Sequence, residues 1–434
     1  MDRLLKVFIA RIVSEGALTV ITASGRELTF GDGTGTPVTA RFTSRLWQLA
    51  VMLDPELRLG EAYMHGGLVV DRGSATELLD LVIRNLARQP QKAWVEILKK
   101  CRSAAKRLIR DNSRWRSSKH AKYHYDIDRR IYELFLDSNK QYSCAYFEND
   151  DYSLESAQQA KLRHIAAKLV LNDPGLRVLD IGSGWGGLGL YLAHTIEEQK
   201  RAQAPDKQAS GHERDTGGGA QASVVGISLS PEQIKFARES AAAEGADCEF
   251  REQDYRDLTG KFDRIVSVGM FEHVGKSHYA EFFRKCFDLL ADDGVMLLHT
   301  IGRWTGPSDS NAWVERYIFP GGYTPALSEL TPIIERSGFI ISDIEVLRLH
   351  YAKTLHQWRQ RFLARRDQAA KIRDEEFVRM WEWYLAGFEA SFKYYGLVVF
   401  QIQLVKTPDA APLTRDYMYA EEREAGYQTQ IAAE

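Results

Sequence analysis

The most constraining feature of the sequence is an alternation of strand and helix patterns that begins near residue 123. The run LRVLDI at 176–181 is largely apolar, as expected of a strand covered on both faces. Similar runs recur at SVVGISL, DCEFRE, FDRIVSV, GVMLLHTI and ISDIEVL, and helical patterns separate most of them. The alternation predicts an α/β fold with a mainly parallel, doubly wound sheet.

A glycine-rich turn, DIGSGWGG, joins the first of these strands to a helix. Gly182, Gly184 and Gly186 allow a tight turn and close backbone approach to a ligand at the helix N-terminus. A dinucleotide site would read GxGxxG and a P-loop would contain GK[ST], and neither pattern is present. With Asp180 just before the glycines, the turn resembles the first motif of class I S-adenosylmethionine-dependent methyltransferases. Nucleotide binding and a purely structural turn remain alternatives.

Polar residues also follow the next two strands. Ser228 and Ser230 end the second strand, with Gln233 downstream, where an acidic residue is common in such methyltransferases. Asp254 and Tyr255 follow the third strand, where these folds contact adenine. We predict that all five take part in cofactor binding. The alternative for each is a loop residue or a helix cap, and capping is itself expected of Ser230.

The part before this fold has a different organisation. Residues 1–90 predict a smaller N-terminal α+β domain with a hairpin around Ser24-Gly25, a helix at 44–63, a strand at GGLVVD and a helix at 75–88. Residues 91–122 form a connector, and the catalytic domain is predicted over 123–434. Within it, residues 197–222 contain no Val, Ile, Leu, Met or aromatic residue, which predicts a flexible surface insertion.

Charge is concentrated in the connector. Between 88 and 122 there are twelve Lys and Arg residues, interleaved with Trp and aliphatic residues, although the whole chain carries a net charge of −2. A local basic amphipathic segment predicts docking on an anionic membrane surface, and a solvated linker helix is the alternative. The slightly acidic total argues against a nucleic-acid partner.

Location and metal binding are constrained by other patterns. Four scattered cysteines without a CxxC pair indicate a reducing compartment and no metal site. The N-terminus lacks a signal-peptide pattern, and no run of about 18 apolar residues occurs. We therefore expect a cytoplasmic protein that associates peripherally with the inner face of the membrane.

Five phrases, in order, extend the resemblance to a specific family. They are QYSCAYF (141–147), DIGSGWGGL, GISLSPEQ, SVGMFEHVG (267–275) and LLHTIG (297–302). Together they resemble the cyclopropane-fatty-acyl-phospholipid synthases, relatives of the mycolic acid cyclopropane synthases. The resemblance implies a Rossmann-like class I methyltransferase domain. It also implies transfer of a methylene group from S-adenosylmethionine to the cis double bond of a phospholipid acyl chain.

The resemblance further implies the site. Methyl transfer to an alkene leaves a carbocation, and the family removes the proton with a bound bicarbonate ion. The implied bicarbonate pocket consists of Cys144, Glu272, His299, the Ile301 backbone and Tyr351. Tyr142 and Ser143 are implied in cofactor binding. Aromatic side chains expected to line the site are Tyr142, Tyr146, Phe147, Phe271, Trp304 and Tyr317.

Several alternatives stay open. A fatty acid methyltransferase of the same family would leave a methyl-branched or methylene product. A small-molecule methyltransferase would not need the N-terminal domain, and a non-catalytic lipid-binding protein would not need the glycine turn. The expected assembly is a homodimer.

Overall fold

A computed structural model describes residues 1–88, 128–203, 222–420 and 422 of the 434-residue chain. The first range builds a four-stranded sheet in the order β2-β1-β3-β4, flanked by helices. Its elements are α1 (Asp2–Ala10), β1 (Leu18–Ile21), β2 (Glu27–Phe30), β3 (Val38–Phe42), α2 (Arg45–Leu53), α3 (Pro55–Met64), β4 (Leu68–Arg72) and α4 (Ala75–Arg88). We call it the N-terminal unit.

Local sequence signals explain most of this unit. The predicted hairpin is confirmed, because β1 and β2 pair antiparallel on either side of Gly25. The helical stretch predicted at 44–63 is confirmed, and it consists of two helices, because Asp54 ends α2 and Pro55 opens α3. A proline cannot continue a helix but suits its first turn. The start of α4 is confirmed, and Ser74 Oγ lies 2.9 Å from the carboxylate of Glu77.

The larger unit contains a seven-stranded sheet in the order β10-β11-β9-β8-β5-β6-β7. Its first half comprises α5 (Arg129–Glu133), α6 (Leu154–Lys168), β5 (Val178–Ile181), α7 (Gly187–Gln203), β6 (Val224–Ser228), α8 (Pro231–Glu244), β7 (Cys248–Glu252) and β8 (Phe262–Val268). Its second half comprises α9 (Tyr279–Leu289), β9 (Leu290–Arg303), α10 (Ala312–Tyr317), α11 (Leu327–Ser337), β10 (Ile340–Leu347), α12 (His350–Ala364), α13 (Arg366–Ile372), α14 (Glu375–Tyr394) and β11 (Leu397–Val405).

Six of the seven strands run in the same direction, which confirms the predicted mainly parallel, doubly wound sheet. β11 runs antiparallel to both β9 and β10. The sequence analysis did not predict β11, although all nine of its residues are buried. The chain winds from β5 to β6 on one side and reaches β8 on the other. A crevice is therefore expected at the carboxyl ends of these strands, where such sheets bind ligands.

The first seven residues of the predicted flexible insertion are helical. Residues 197–203 are the last two turns of α7, not a flexible loop. Lys200 Nζ, in these turns, lies 3.5 Å from Asp247. Residues 204–221 and the predicted connector at 91–122 lie outside the described residues.

The N-terminal unit packs against two helices of the larger unit, α10 and α14. Tyr317 donates a hydrogen bond to Glu61 at 2.8 Å, and Tyr63 donates to Glu382 at 2.9 Å. The Trp313 indole N–H contacts the sulfur of Met64 at 3.2 Å. These contacts join α3 to both helices. In residues 1–88, 128–203 and 222–420, no helix combines the length and apolar character needed to cross a bilayer.

Candidate active site

A cavity opens at the carboxyl edge of the sheet, beside the ends of β8 and β9. Its wall combines that edge, the segment 141–147, and side chains from α10, α12 and α14, with the loop after α10. It is lined by Tyr142, Ser143, Cys144, Gly269, Glu272, His273, His299, Ile301, Ser310, Val314, Phe319, Gly322, Tyr323, Thr324, Tyr351 and Phe388. The cavity thus brings together the five residues of the implied bicarbonate pocket.

Glu272 is the ionisable group at the centre of this wall. It lies in a turn of 3-10 helix, Phe271–His273, three residues after β8 ends. One carboxylate oxygen, Oε1, accepts the backbone N–H of Ile301 at 2.5 Å. Among the described residues, the other oxygen, Oε2, is buried without a hydrogen-bond partner. Burial raises the pKa of Glu272, and hydrogen bonding by the backbone N–H groups of Ile301 and Glu272 and by the Thr300 side chain opposes that shift. A buried acceptor of this kind is costly unless a ligand satisfies it.

His299 approaches the same space from β9. It is 2% exposed, and its Nδ1 lies 3.1 Å from Nε2 of Gln401 on β11. Burial lowers the pKa of His299 well below its usual range, and the positive charges of Lys161 and Lys168 add to this effect. The ring is therefore neutral at physiological pH.

Cys144 and Tyr351 complete the implied pocket. Both are buried, and the Cys144 thiol contacts the carbonyl of its neighbour Ala145 at 3.3 Å. Burial raises the pKa of the Cys144 thiol, so this residue is a neutral hydrogen-bonding group and not a thiolate nucleophile. The Tyr351 ring packs against Trp358 and Phe392.

Lys161 on α6 is a site residue that the sequence analysis missed. It is fully buried, and its Nζ donates to Gln141 Oε1 at 2.5 Å and to Ser143 Oγ at 3.0 Å. Gln158, one helical turn earlier, donates to the backbone carbonyls of Gln141 and Ser143. These bonds fix the start of segment 141–147 against α6. Polar residues at 158, 161, 164 and 168 form a helical stripe on a buried helix, and this spacing was the available signal.

The glycines of the turn after β5 differ in their surroundings, since two are closely packed and one is open. A Cβ at Gly182 would lie 2.6 Å from Met270, and one at Gly186 would lie 2.7 Å from Ala237. A Cβ at Gly184 would meet nothing within 4 Å. Close packing thus accounts for two of the glycines. Gly184 borders the open space that a ligand can enter.

Asp180 and Ser183 present polar atoms beside this turn. Both are buried, and within the described part of the chain Asp180 Oδ2 and Ser183 Oγ lack hydrogen-bond partners. Burial raises the pKa of Asp180 to about 7, an effect that the charge of Lys161 opposes. Acceptor atoms next to an open glycine turn fit the amino and hydroxyl groups of S-adenosylmethionine.

The other predicted cofactor residues lie along the same edge, where they also contact one another. Ser228 Oγ donates to Gln233 Oε1 at 3.0 Å, and Ser230 caps the N-terminus of α8. Asp254 caps a short 3-10 helix and pairs with Arg256 at 2.5 Å. Tyr255 packs edge-on against Phe282. The capping alternative is therefore realised for Ser230 and Asp254, and their binding role stays a prediction.

The predicted aromatic lining is largely wrong. Of the six side chains expected there, only Tyr142 lines the cavity. Phe271 packs in the core against Tyr279, Tyr317 bonds to the N-terminal unit, and Trp304 is 58% exposed. The aromatic wall comes instead from Phe319, Tyr323, Tyr351 and Phe388, together with Tyr142.

Gly184→Asp is expected to lower S-adenosylmethionine affinity by about tenfold or more, or at least 1.4 kcal/mol. The φ angle of Gly184 is +54°, which aspartate tolerates better than most residues, so the fold should survive. Calorimetric titration measures the effect. Gly245→Asp is the matched control, because Gly245 has φ +63° and equally open surroundings at the end of α8. Equal affinity in wild type and Gly184→Asp would contradict this placement of the cofactor.

Comparison with known proteins identifies the family of this chain. The family described as mycolic acid cyclopropane synthetase matches residues 112–199 and 219–402, and the interval it skips lies within the predicted insertion. The cyclopropane-fatty-acyl-phospholipid synthase of Escherichia coli K12 is 37% identical over 353 residues, covering 81% of this chain and 84% of the relative. A probable fatty acid methyltransferase of Pseudomonas putida is 38% identical over 312 residues, covering 68% and 72%.

Solved structures agree as well. The mycolic acid cyclopropane synthase CmaA1, complexed with SAH and CTAB, is 31% identical and has a TM-score of 0.56. The match covers 66% of this chain and 97% of that one. With the glycine turn and the cavity at one edge of the sheet, and with these relatives, the chain belongs to the mycolic acid cyclopropane synthetase family and is an S-adenosylmethionine-dependent methyltransferase.

Proposed function

We propose that this enzyme transfers a methylene group from S-adenosylmethionine to the cis double bond of unsaturated phospholipid acyl chains, forming a cyclopropane ring. The observation that carries the proposal is the unsatisfied Oε2 of Glu272, a residue that lines the cavity together with His299, Cys144 and Tyr351. Ring closure requires removal of a proton after methyl transfer. A buried acceptor surrounded by neutral donors suits the anion that takes this proton.

Bicarbonate fits this set of residues. When bound, it would supply the base, because one of its oxygens can accept the proton. It also carries one O–H group that can donate a hydrogen bond. Its hydroxyl would satisfy Glu272 Oε2, and donors on His299, Cys144 and Tyr351 would offset its charge. The backbone N–H of Ile301 already donates to Glu272 Oε1, so Ile301 acts by orienting the glutamate.

The remaining wall suits a short-lived carbocation. S-adenosylmethionine supplies the electrophilic methyl group. The chain holds the alkene against it and excludes water, which would otherwise capture the cation as an alcohol. Aromatic faces attract positive charge, and Phe319, Tyr323 and Phe388 are placed in the wall to do so.

We also propose that the enzyme reaches its substrate from a membrane surface. Three leucines of the N-terminal unit support this: Leu46 and Leu53 on α2 are 80% and 70% exposed, and Leu4 on α1 is 69% exposed. Exposed leucines on neighbouring helices suit burial in the interfacial layer of a bilayer. The basic composition of 91–122 favours an anionic surface.

The test uses purified enzyme, S-adenosylmethionine and vesicles of monounsaturated phosphatidylglycerol, with saturated phosphatidylglycerol vesicles as the control. Mass spectrometry should show one added CH2 per modified chain, and proton NMR should show ring protons at high field. Sedimentation of the same vesicles reports surface binding. No modified lipid from a protein that binds S-adenosylmethionine would contradict the proposal.

One relative is a probable fatty acid methyltransferase, which favours a second candidate function. In that function the product would be a methyl-branched or methylene-bearing chain instead of a ring. A methyl-branched chain would carry two more hydrogens than the cyclopropane. A methylene product has the same mass as the ring but gives vinylic instead of high-field protons. Two additional hydrogens in the mass spectrum, or vinylic protons in the NMR spectrum, would show that the enzyme is a fatty acid methyltransferase that does not close the ring.

A further inference from the structure

Behind His299, a row of polar contacts runs across the sheet to α6. Gln401 lies directly opposite His299 in the pairing of β11 with β9, and its Nε2 is 3.1 Å from His299 Nδ1. On its other side, Gln401 Oε1 accepts Lys168 Nζ at 2.7 Å. Gln401 and Lys168 are 1% and 2% exposed, so water does not compete for these bonds.

The far end of this row is an ion pair. Lys168 Nζ bonds to Glu345, which also lies 2.6 Å from His164 Nε2. Burial opposes ionisation of Glu345, but the hydrogen bond and charge of His164, with the charge of Lys168, lower the pKa of Glu345 to about 2. Burial lowers the pKa of Lys168, and the Glu345 charge opposes that shift. The row therefore starts from a carboxylate paired with an ammonium group.

The donor and acceptor roles then follow one from another. An ammonium group only donates, so Lys168 must face the carbonyl oxygen of Gln401. The amide nitrogen of Gln401, which also only donates, must then face His299. Consequently His299 Nδ1 accepts, and the ring proton of the neutral imidazole must be on Nε2.

We propose that Gln401, oriented by Lys168, is a positioning residue that holds His299 in the Nε2–H tautomer and so directs a hydrogen-bond donor into the cavity. The tautomer follows from the contacts alone. Its use as a donor to the proton-accepting anion rests on the proposed function.

A change of one atom in Gln401 should convert this into a pH-dependent device. In Gln401→Glu the carboxylate accepts from His299 Nδ1–H while the other oxygen still contacts Lys168. The negative charge of the introduced carboxylate favours the imidazolium and so raises the pKa of His299. Below that pKa the imidazolium has N–H on both nitrogens and the donor is kept. Above it the neutral ring keeps Nδ1–H, and Nε2 becomes an acceptor.

We therefore expect the turnover of Gln401→Glu to fall by about 100-fold as pH rises through the new pKa, a limb absent from the wild type. Both proteins share the other titratable groups around His299. These are Lys161, His164 and Lys168 on α6, Glu345 on β10, and Tyr142, Cys144, Glu272, His273, Tyr323 and Tyr351 in the cavity wall. Because these are common to both, the additional limb isolates the substitution. Parallel pH profiles would overturn the proposal.

A second comparison separates positioning from stability. Gln401→Met and Gln403→Met each remove a buried amide from β11, and Gln403 bonds to the Lys168 carbonyl and Tyr417 instead of His299. Only Gln401→Met should lower turnover, by about tenfold or more. Equal loss in both would overturn the proposal.

Nitrogen-15 NMR of histidine-labelled protein, with His299 assigned by His299→Asn, reads the tautomer without substrate. A protonated Nε2 and unprotonated Nδ1 in the wild type are expected, and the opposite pattern would overturn the inference. A failure of lipid modification with the expected tautomer would count against the proposed function alone.

Discussion

Glu272→Gln should abolish detectable ring formation, a loss of about 1,000-fold or more, while leaving S-adenosylmethionine affinity unchanged. The amide oxygen can still accept the Ile301 N–H, so the loop keeps its anchor. The amide nitrogen replaces Oε2, however, and turns the unsatisfied acceptor into a donor. Burial of the carboxylate is costly, so the variant should be at least as stable as the wild type.

Product formation on vesicles and calorimetric titration of the cofactor together measure this result. Glu382→Gln is the matched control, since Glu382 is also buried and accepts a hydrogen bond, but from Tyr63 and away from the cavity. Depleting bicarbonate should slow the wild type, and adding it back should restore that protein but not Glu272→Gln. Wild-type turnover in the variant, or indifference of the wild type to bicarbonate, would contradict the role given to this site.

Lys161→Met should weaken S-adenosylmethionine binding by about tenfold or more while changing the free energy of unfolding by no more than about 2 kcal/mol. Burial lowers the pKa of Lys161 from its ordinary 10.5 to about 8, which corresponds to about 3 kcal/mol for keeping the charge. Removing the lysine relieves that cost and loses hydrogen bonds to Gln141 and Ser143 of similar total value. The two effects nearly cancel in stability but not in binding.

The pH dependence of binding identifies the cause. The charge of Lys161 keeps the pKa of Asp180 from rising above about 7. We expect the cationic cofactor to bind the carboxylate form, so affinity in the wild type should fall as pH drops through that range. In Lys161→Met the midpoint should move to higher pH, and in Asp180→Asn this titration should vanish. An unmoved midpoint in Lys161→Met would show that the two residues are not coupled.

The sequence predicted the parts of the site that local patterns specify. The glycine turn was predicted at a strand end, and the family resemblance implied Glu272 and His299. All three lie at one edge of the sheet, because the carboxyl ends of parallel strands meet there. Residues contributed across the sheet were not predictable in this way. Gln401 lies on β11, and no local pattern predicts that this strand pairs antiparallel with β9. Lys161 acts through hydrogen bonds to a segment twenty residues away in the chain.

The aromatic lining also could not be predicted from the sequence, because residues that were expected in the cavity wall pack elsewhere. Phe271 and Tyr317 lie close in sequence to site residues, and their types suit a carbocation. Phe271 nevertheless packs under α9, and Tyr317 points to Glu61. Which way a side chain faces depends on the helices packed beside it. Phe388, which does line the cavity, belongs to a helix more than a hundred residues after Glu272.

The contacts of α10 and α14 imply that two different packing requirements fall on the same short stretches of chain. One face of each helix receives α3 of the N-terminal unit, through Trp313, Tyr317 and Glu382. The other side contributes Val314 and Phe388 to the cavity wall. Adaptation to a longer or more branched acyl chain can therefore proceed at the inward positions while the outward ones stay constant. A substitution at the outward positions would instead shift both helices and the cavity wall they carry. It would alter substrate choice although the substituted residue does not contact the substrate.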